Sequence, residues 1–212
     1  MRRGPISWRM GIRRWDYLLD CALWMRAAER IDPPAHRLVP GPLDFDEPAA
    51  PTRPAGQPPA PARSGETPDE VLGEEWLGWW LSLVNPTRQP VRPENTLEPA
   101  YDTPDPLGLA PYPTLRRIVA LRSGEALDWH TARRNRGFER HPPASSVTGN
   151  IAYEIERSLG RSLRPFSVEF VLLPVRDEVI RRVDEERYLV PEQVYDSHRW
   201  PVWLRNLLTR IG

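Results

Sequence analysis

The chain has 212 residues, and its 29 basic and 29 acidic side chains give a formal net charge of zero. All 29 basic residues are arginine, so this chain lacks the lysine required by a Schiff-base enzyme, a P-loop NTPase or an ordinary protein kinase. Its one cysteine, Cys21, permits neither an internal disulfide nor a paired-cysteine metal motif, and a zero balance gives no global pull towards nucleic acid or an anionic membrane.

The first predicted element is an amphipathic helix near residues 13–30. Trp15, Leu18, Leu19, Ala22 and Met25 recur at helical spacing on one face. Asp16, Arg26, Glu29 and Arg30 fall mostly off it, and Pro33-Pro34 ends it. The paired Arg13-Arg14 before apolar residues superficially resembles an export signal. Asp16 and Asp20 leave only Cys21 to Met25 uncharged, against the roughly 7–15 apolar residues that such a signal needs. No apolar run approaches the ~20 residues of a membrane span. With one cysteine and neither signal, a cytoplasmic location is expected.

Residues 32–66 read as a linker. Eleven prolines fall in 32–70 with few large apolar residues, so this stretch cannot bury enough surface to offset its ordering entropy. Within it, Leu43 and Phe45 stand among three acids and offer a small docking motif as the alternative reading.

Structure is expected to resume at Thr67. Thr67 as N-cap, Pro68 at the first helical position and Glu70 three residues on form a capping box. Leu72, Trp76, Trp79, Trp80 and Leu83 follow at helical spacing, while Leu77, Leu81 and Val84 widen the apolar face until little of the helix is polar. A helix apolar nearly all round is buried. Asn85-Pro86 stops it. Residues 86–113 hold eight prolines with apolar anchors at Leu97, Tyr101, Leu107, Leu109 and Tyr112, which suggests an ordered wrap.

From 114 onward the pattern is globular. One helix broken near Ser123-Gly124, or two helices, cover 114–137. A second helix has Ile151, Ile155 and Leu159 inward and Gly160 as its stop. Residues 166–173 alternate as a strand with an apolar far end. Residues 176–195 fit two strands of a meander better than a helix, and a helix with Trp203, Leu204, Leu207, Leu208 and Ile211 on one face closes the chain. The expectation is an α+β fold: a mostly helical C-terminal domain (67–212) with a small sheet, preceded by an amphipathic helix (1–31) acting as a tether and by the proline-rich linker (32–66).

Catalytic signatures are absent: there is no GxSxG, GxGxxG or HExxH pattern. Two Asp-x-His units, Asp128/His130 and Asp196/His198, pair carboxylate with imidazole, the raw material of a zinc site or of acid–base chemistry. Positions i and i+2 do not face each other on a helix, so surface histidines near acids are the plainer reading. Arg133, Arg134 and Arg136 belong to a basic cluster able to meet phosphates, although nucleic acid is the less expected partner. Cys21, among apolar neighbours, reads as an inert buried thiol.

The functional expectation is a non-enzymatic adaptor without a cofactor. It would bind a protein partner through Trp15, Leu18, Leu19, Ala22 and Met25 and through a tryptophan face of Trp76, Trp79 and Trp80. The competing reading puts those tryptophans in the core of their own domain and packs the first helix back on it. A metal-dependent hydrolase using the two Asp-x-His units, and an arginine-based nucleic-acid binder, are the other functions weighed.

Overall fold

The computed structural model describes residues 8–44, 67–85, 108–140 and 147–211. Within them the chain forms six helices and four strands, an α+β and mostly helical architecture. In chain order these are β1 (Trp8–Arg13), α1 (Tyr17–Ala28), α2 (Pro68–Val84), α3 (Pro113–Arg140), α4 (Val147–Leu159), β2 (Phe166–Leu173), β3 (Arg181–Arg182), β4 (Arg187–Pro191), α5 (Glu192–Tyr195) and α6 (Arg199–Ile211). They fall into two units. A helical unit comprises Asp16–Ala132, and a sheet unit comprises Met1–Trp15 with Arg133–Gly212.

In the helical unit, α1 packs on α2. Asp16 caps α1, its Oδ1 accepting the Leu18 and Leu19 amides at 3.1 and 3.2 Å. The helix ends in a left-handed residue, Arg30 (φ 53°). The Ile31 amide donates to the Arg26 carbonyl and the Arg30 amide to the Ala27 carbonyl, with Ile31 buried behind them. These are the two hydrogen bonds of a Schellman stop, made here without glycine. Helix α2 begins with the expected capping box on Thr67 and Glu70. Its tryptophans Trp76, Trp79 and Trp80 are wholly buried. Trp76 and Trp80 stack 5.5 Å apart, and each donates its indole N–H at 2.8 Å, to the Ala22 and Leu38 carbonyls. Glu75 accepts the Thr114 and Leu115 amides at the start of α3, where a carboxylate neutralises orphan donors and the helix dipole.

In the sheet unit the strand order is β1-β2-β4-β3. β1 and β4 both run parallel to β2, and β3 pairs antiparallel with β4. Alternation along β2 sends Phe166, Val168, Phe170 and Leu172 to one face. There they join Tyr188 and Val190 of β4, Ile151 and Ile155 of α4, and Trp200, Leu204, Leu207 and Leu208 of α6 in a single core. Val171 and Leu173, which point to the other face, are buried as well. Between Arg13 and Arg187, Glu169 accepts from both at 2.8 and 2.9 Å and ties three strands together.

Several expectations need correction. The described residues open with a strand: Trp8–Arg13 pairs with Phe166–Val171. Trp15 therefore lies outside the helix, at φ 58°. Residues 8–31 therefore hold a strand and a helix. Residues 32–44, read as the start of the linker, are ordered, with Leu38, Pro40 and Leu43 buried. Phe45 and the rest of the linker to 66 lie outside the described residues, as do Leu97, Tyr101 and Leu107. Helix α3 runs through Ser123-Gly124 without a break. In the helical unit Glu29 is buried in a salt bridge to Arg122 at 2.6 Å, although its position off the apolar stripe suggested solvent.

Two helical glycines give substitutions of opposite sign. A Cβ at Gly73 would lie 2.5 Å from the Asp32 carbonyl oxygen, a backbone atom that cannot swing away. Gly73→Ala is expected to lower stability by about 1–3 kcal/mol despite alanine's better helix propensity. Gly124 has nothing within 4 Å of the added carbon, so Gly124→Ala should gain about 0.5–1 kcal/mol. Thermal unfolding of both variants beside the parent checks the pair; a loss at Gly124 or a gain at Gly73 contradicts it.

Candidate functional site

The sheet unit carries a groove of about 560 Å³ lined by Glu178, Ile180, Val194, His198, Arg199, Val202, Trp203 and Asn206. Four neighbouring segments build it: the approach to β3, helix α5, the α5–α6 turn and the outer side of α6. Helix α6 is amphipathic, with Trp200, Leu204, Leu207 and Leu208 facing the core. Trp203 lies between that face and solvent. Its ring stacks on Trp200 at 5.5 Å and meets Tyr188 edge-on at 5.4 Å, so the groove wall is held by a packed aromatic cluster. Val202 faces outward and is 61% exposed, and nearby in sequence to Ile180, Val179 is 56% exposed. At the rim Arg199 pairs with Glu178 and His198 is exposed. The groove lining combines the apolar side chains of Ile180, Val194, Val202 and Trp203 with the polar groups of Glu178, His198, Arg199 and Asn206.

Of the site residues singled out in the sequence, His198 lines this groove and the others lie elsewhere. Leu19, Ala22 and Met25 are buried inside the helical unit, and Leu18 is half-buried. Trp76, Trp79 and Trp80 are fully enclosed there, so their burial matches the core reading of the tryptophans. The Trp15 ring lies against Gly137, where an added Cβ would come within 2.5 Å of it.

The two Asp-x-His units do not act as pairs. Asp128 is exposed while His130 is buried, as the i, i+2 spacing on a helix dictates. His130 has a different carboxylate. Its Nδ1 lies 2.7 Å from Asp20 Oδ2, with Tyr17 edge-on to the imidazole at 5.4 Å. Asp196 pairs with Arg14 at 3.1 Å, and His198 faces the groove. Among the described residues no group of three or more His, Cys, Asp or Glu is arranged to hold a metal ion. Within the sheet unit, Arg133 is buried and bonded to Glu192 at 2.6 Å; Arg134 and Arg136 are exposed, and Arg136 has a partner. No helix among the described residues is long and apolar enough to cross a membrane.

No protein-family model, curated protein or solved structure that was compared with this chain matches it.

Cys21 is fully buried in α1. Burial, reinforced by the neighbouring Asp20 charge, pushes its thiol up to about 12. It should resist thiol reagents in the native state and react fully on unfolding. Because the native state disfavours the thiolate, the stability linked to Cys21 is complete below the unfolded pKa near ~8.5 and is lost as pH rises towards the native value. Denaturant unfolding between neutral and alkaline pH should therefore fall more steeply for the parent than for Cys21→Ala. Equal slopes, or rapid native labelling, would show that the thiol is not enclosed.

Proposed function

We propose that the chain is a non-enzymatic adaptor whose protein-binding surface is the groove on the outer side of α6. One observation carries this reading: Val202, a large aliphatic side chain 61% exposed, stands beside half-buried Trp203 on a preformed groove of about 560 Å³. An apolar anchor site with a charged rim is the usual form of a protein-binding hot spot, and tryptophan is among the residues enriched there. Among the described residues the clearly shifted titratable groups owe their shifts to packing and capping. Burial raises Cys21 and Tyr112, Glu70 is lowered by its capping hydrogen bonds to Thr67, and Arg122 and Glu125 are shifted chiefly by bonding to each other. None of the five lines the groove.

The partner surface therefore differs from the one expected of the first helix and the tryptophan face. The adaptor role rests on an exposed face, whereas those residues are largely spent on the chain's own packing.

The test is affinity purification from the organism that makes the protein, using the parent, Val202→Glu and Leu121→Glu. Leu121 is a control, 73% exposed in the helical unit. A near-stoichiometric protein retained by the parent and Leu121→Glu but lost from Val202→Glu is the expected result, with unfolding temperatures unchanged because both sites face solvent. Retention by all three baits, or no stoichiometric partner for any, would sink the groove as the adaptor surface.

A further inference from the structure

Zero net charge conceals an uneven division along the chain. The residues of the sheet unit hold 19 arginines against 11 acidic side chains, a formal charge of +8, and the remaining residues carry the balancing −8. A basic module of this size marks a candidate polyanion binder, and the question is where on its surface the free charge lies.

Many of its arginines are engaged within the unit. Arg13 and Arg187 share Glu169, Arg14 pairs with Asp196, Arg133 with Glu192, Arg181 with Asp177, Arg199 with Glu178 and Arg205 with Glu154. The end where α4 leads into β2 is different. Arg157 on α4, Arg161 and Arg164 in the following connection, and Arg9 on β1 are all exposed. For Arg9, Arg157 and Arg164 no ion pair is formed with a described carboxylate.

This end also carries three half-buried aromatic rings. Trp8 stacks on Phe166 at 6.3 Å with 13° between the planes, and Tyr153 meets Trp8 edge-on at 5.5 Å. Tyr153 and Arg157 are one helical turn apart and so lie on one side of α4. Glu156 holds the arrangement in place: its Oε1 accepts the Trp8 indole N–H at 3.2 Å and the Leu163 amide at 3.1 Å. The nearby acid is thus spent on fixing the Trp8 ring and the connection that bears Arg161 and Arg164. The other acid of this helix, Glu154, is committed to Arg205.

We propose that this end of the sheet unit binds single-stranded nucleic acid, with Arg157 and Arg164 on phosphates and the Trp8–Tyr153–Phe166 cluster offering ring surface to unpaired bases; Arg9, which alternation turns to the opposite face of β1 from Trp8, is not part of the surface. Exposed cations beside fixed aromatic rings are what sequence-tolerant single-strand binding requires. A duplex keeps its bases stacked inward and would use only the charges. An acidic peptide or an anionic membrane would likewise leave the ring geometry unused. The surface is distinct from the groove on α6 and from the Arg133–Arg136 cluster, and it stands whether or not the adaptor reading does.

The experiment is fluorescence anisotropy of the full chain with a labelled oligothymidylate, a duplex of the same length, an acidic peptide, and vesicles containing phosphatidylserine. The single strand should bind several-fold more tightly than the duplex, and more tightly than peptide or vesicle. Each phosphate contact contributes about −0.7 to the log–log salt slope, so the two arginines should give a slope of about −1.4 or steeper between ~50 and ~200 mM salt. The double variant Arg157→Ala/Arg164→Ala should lose at least about fivefold in affinity and flatten that slope, while Arg134→Ala/Arg210→Ala leaves both unchanged. Tyr153→Leu should weaken binding about fivefold or more with the slope retained, the signature of a lost stacking contact. All three variants must keep the parent's circular dichroism spectrum. If Tyr153→Leu does not, Tyr153→Phe, which keeps the ring, is expected to bind as the parent does. The proposal is overturned by no saturable binding at the lowest salt, by equal affinity for duplex, by tighter binding to peptide or vesicle, or by an Arg157→Ala/Arg164→Ala variant that binds like the parent.

Discussion

The stacked indoles of Trp76 and Trp80 organise the helical unit. A tryptophan buried without a partner for its N–H leaves a costly unsatisfied donor, and each of these two rings solves the problem by reaching a backbone carbonyl on another segment. The Ala22 carbonyl belongs to α1 and the Leu38 carbonyl to the chain beyond it, so the same pair of rings sets the position of α2 against both. The arginines nearby follow. Arg26 lies over Trp76 at 5.4 Å and donates to the Pro40 carbonyl at 2.6 Å, while Arg122 covers Trp24 at 4.8 Å and reaches Glu29. Guanidinium groups that combine stacking with directed hydrogen bonds suit a chain with no lysine. Proline-containing segment 32–44 becomes ordered because it supplies carbonyls and apolar side chains to this framework, not because it forms regular structure.

The sheet unit is built on a different constraint. Its inner strand β2 is paired on both sides and buried along its far half on both faces, so exposed side chains are left to the periphery. The two surfaces proposed for binding both lie at that periphery. One is the groove where the outer side of α6 meets the approach to β3, and the other is the arginine-flanked aromatic cluster where α4 leads into β2. In each, the core aromatics continue into half-buried rings, so the proposed surface would inherit the rigidity of the interior at little additional entropy cost. An adaptor with separate protein and nucleic-acid surfaces would need neither a cofactor nor a catalytic constellation.

Local chemistry was legible in the sequence wherever the deciding groups are near in the chain. The Thr67/Glu70 capping box, the Gly160 stop of α4, the alternation of β2, the apolar face of α6 and the enclosure of Cys21 are all decided within a few residues or by composition. So was the α+β class. The start of α1 was also within reach, because Asp16 before an apolar run is an N-cap signal, and reading Trp15 into the helix overlooked it. By contrast, Trp8–Arg13 alternates poorly and becomes a strand because β2, over 150 residues away, offers it a parallel edge. Gly124 weakens a helix locally, yet α3 continues through it. The candidate sites were the least legible. His130 takes Asp20 as its partner in place of the adjacent Asp128, and Val202 lines a groove only because Ile180 and Val194 come to it from two other stretches.

By itself, then, the sequence determined the fold class, the caps, the strand alternation and the chemistries that a chain without lysine and with one cysteine does not support. These depend on residue type and on spacings of two to four positions, which backbone geometry converts directly into faces and ends. Only the tertiary structure decided which tryptophans are core and which lie at the surface, which carboxylate each arginine and histidine meets, and how the balanced charges divide into a basic and an acidic unit. Those outcomes depend on which distant segments become neighbours, and burial and pairing across tens of residues leave no periodic trace in the chain.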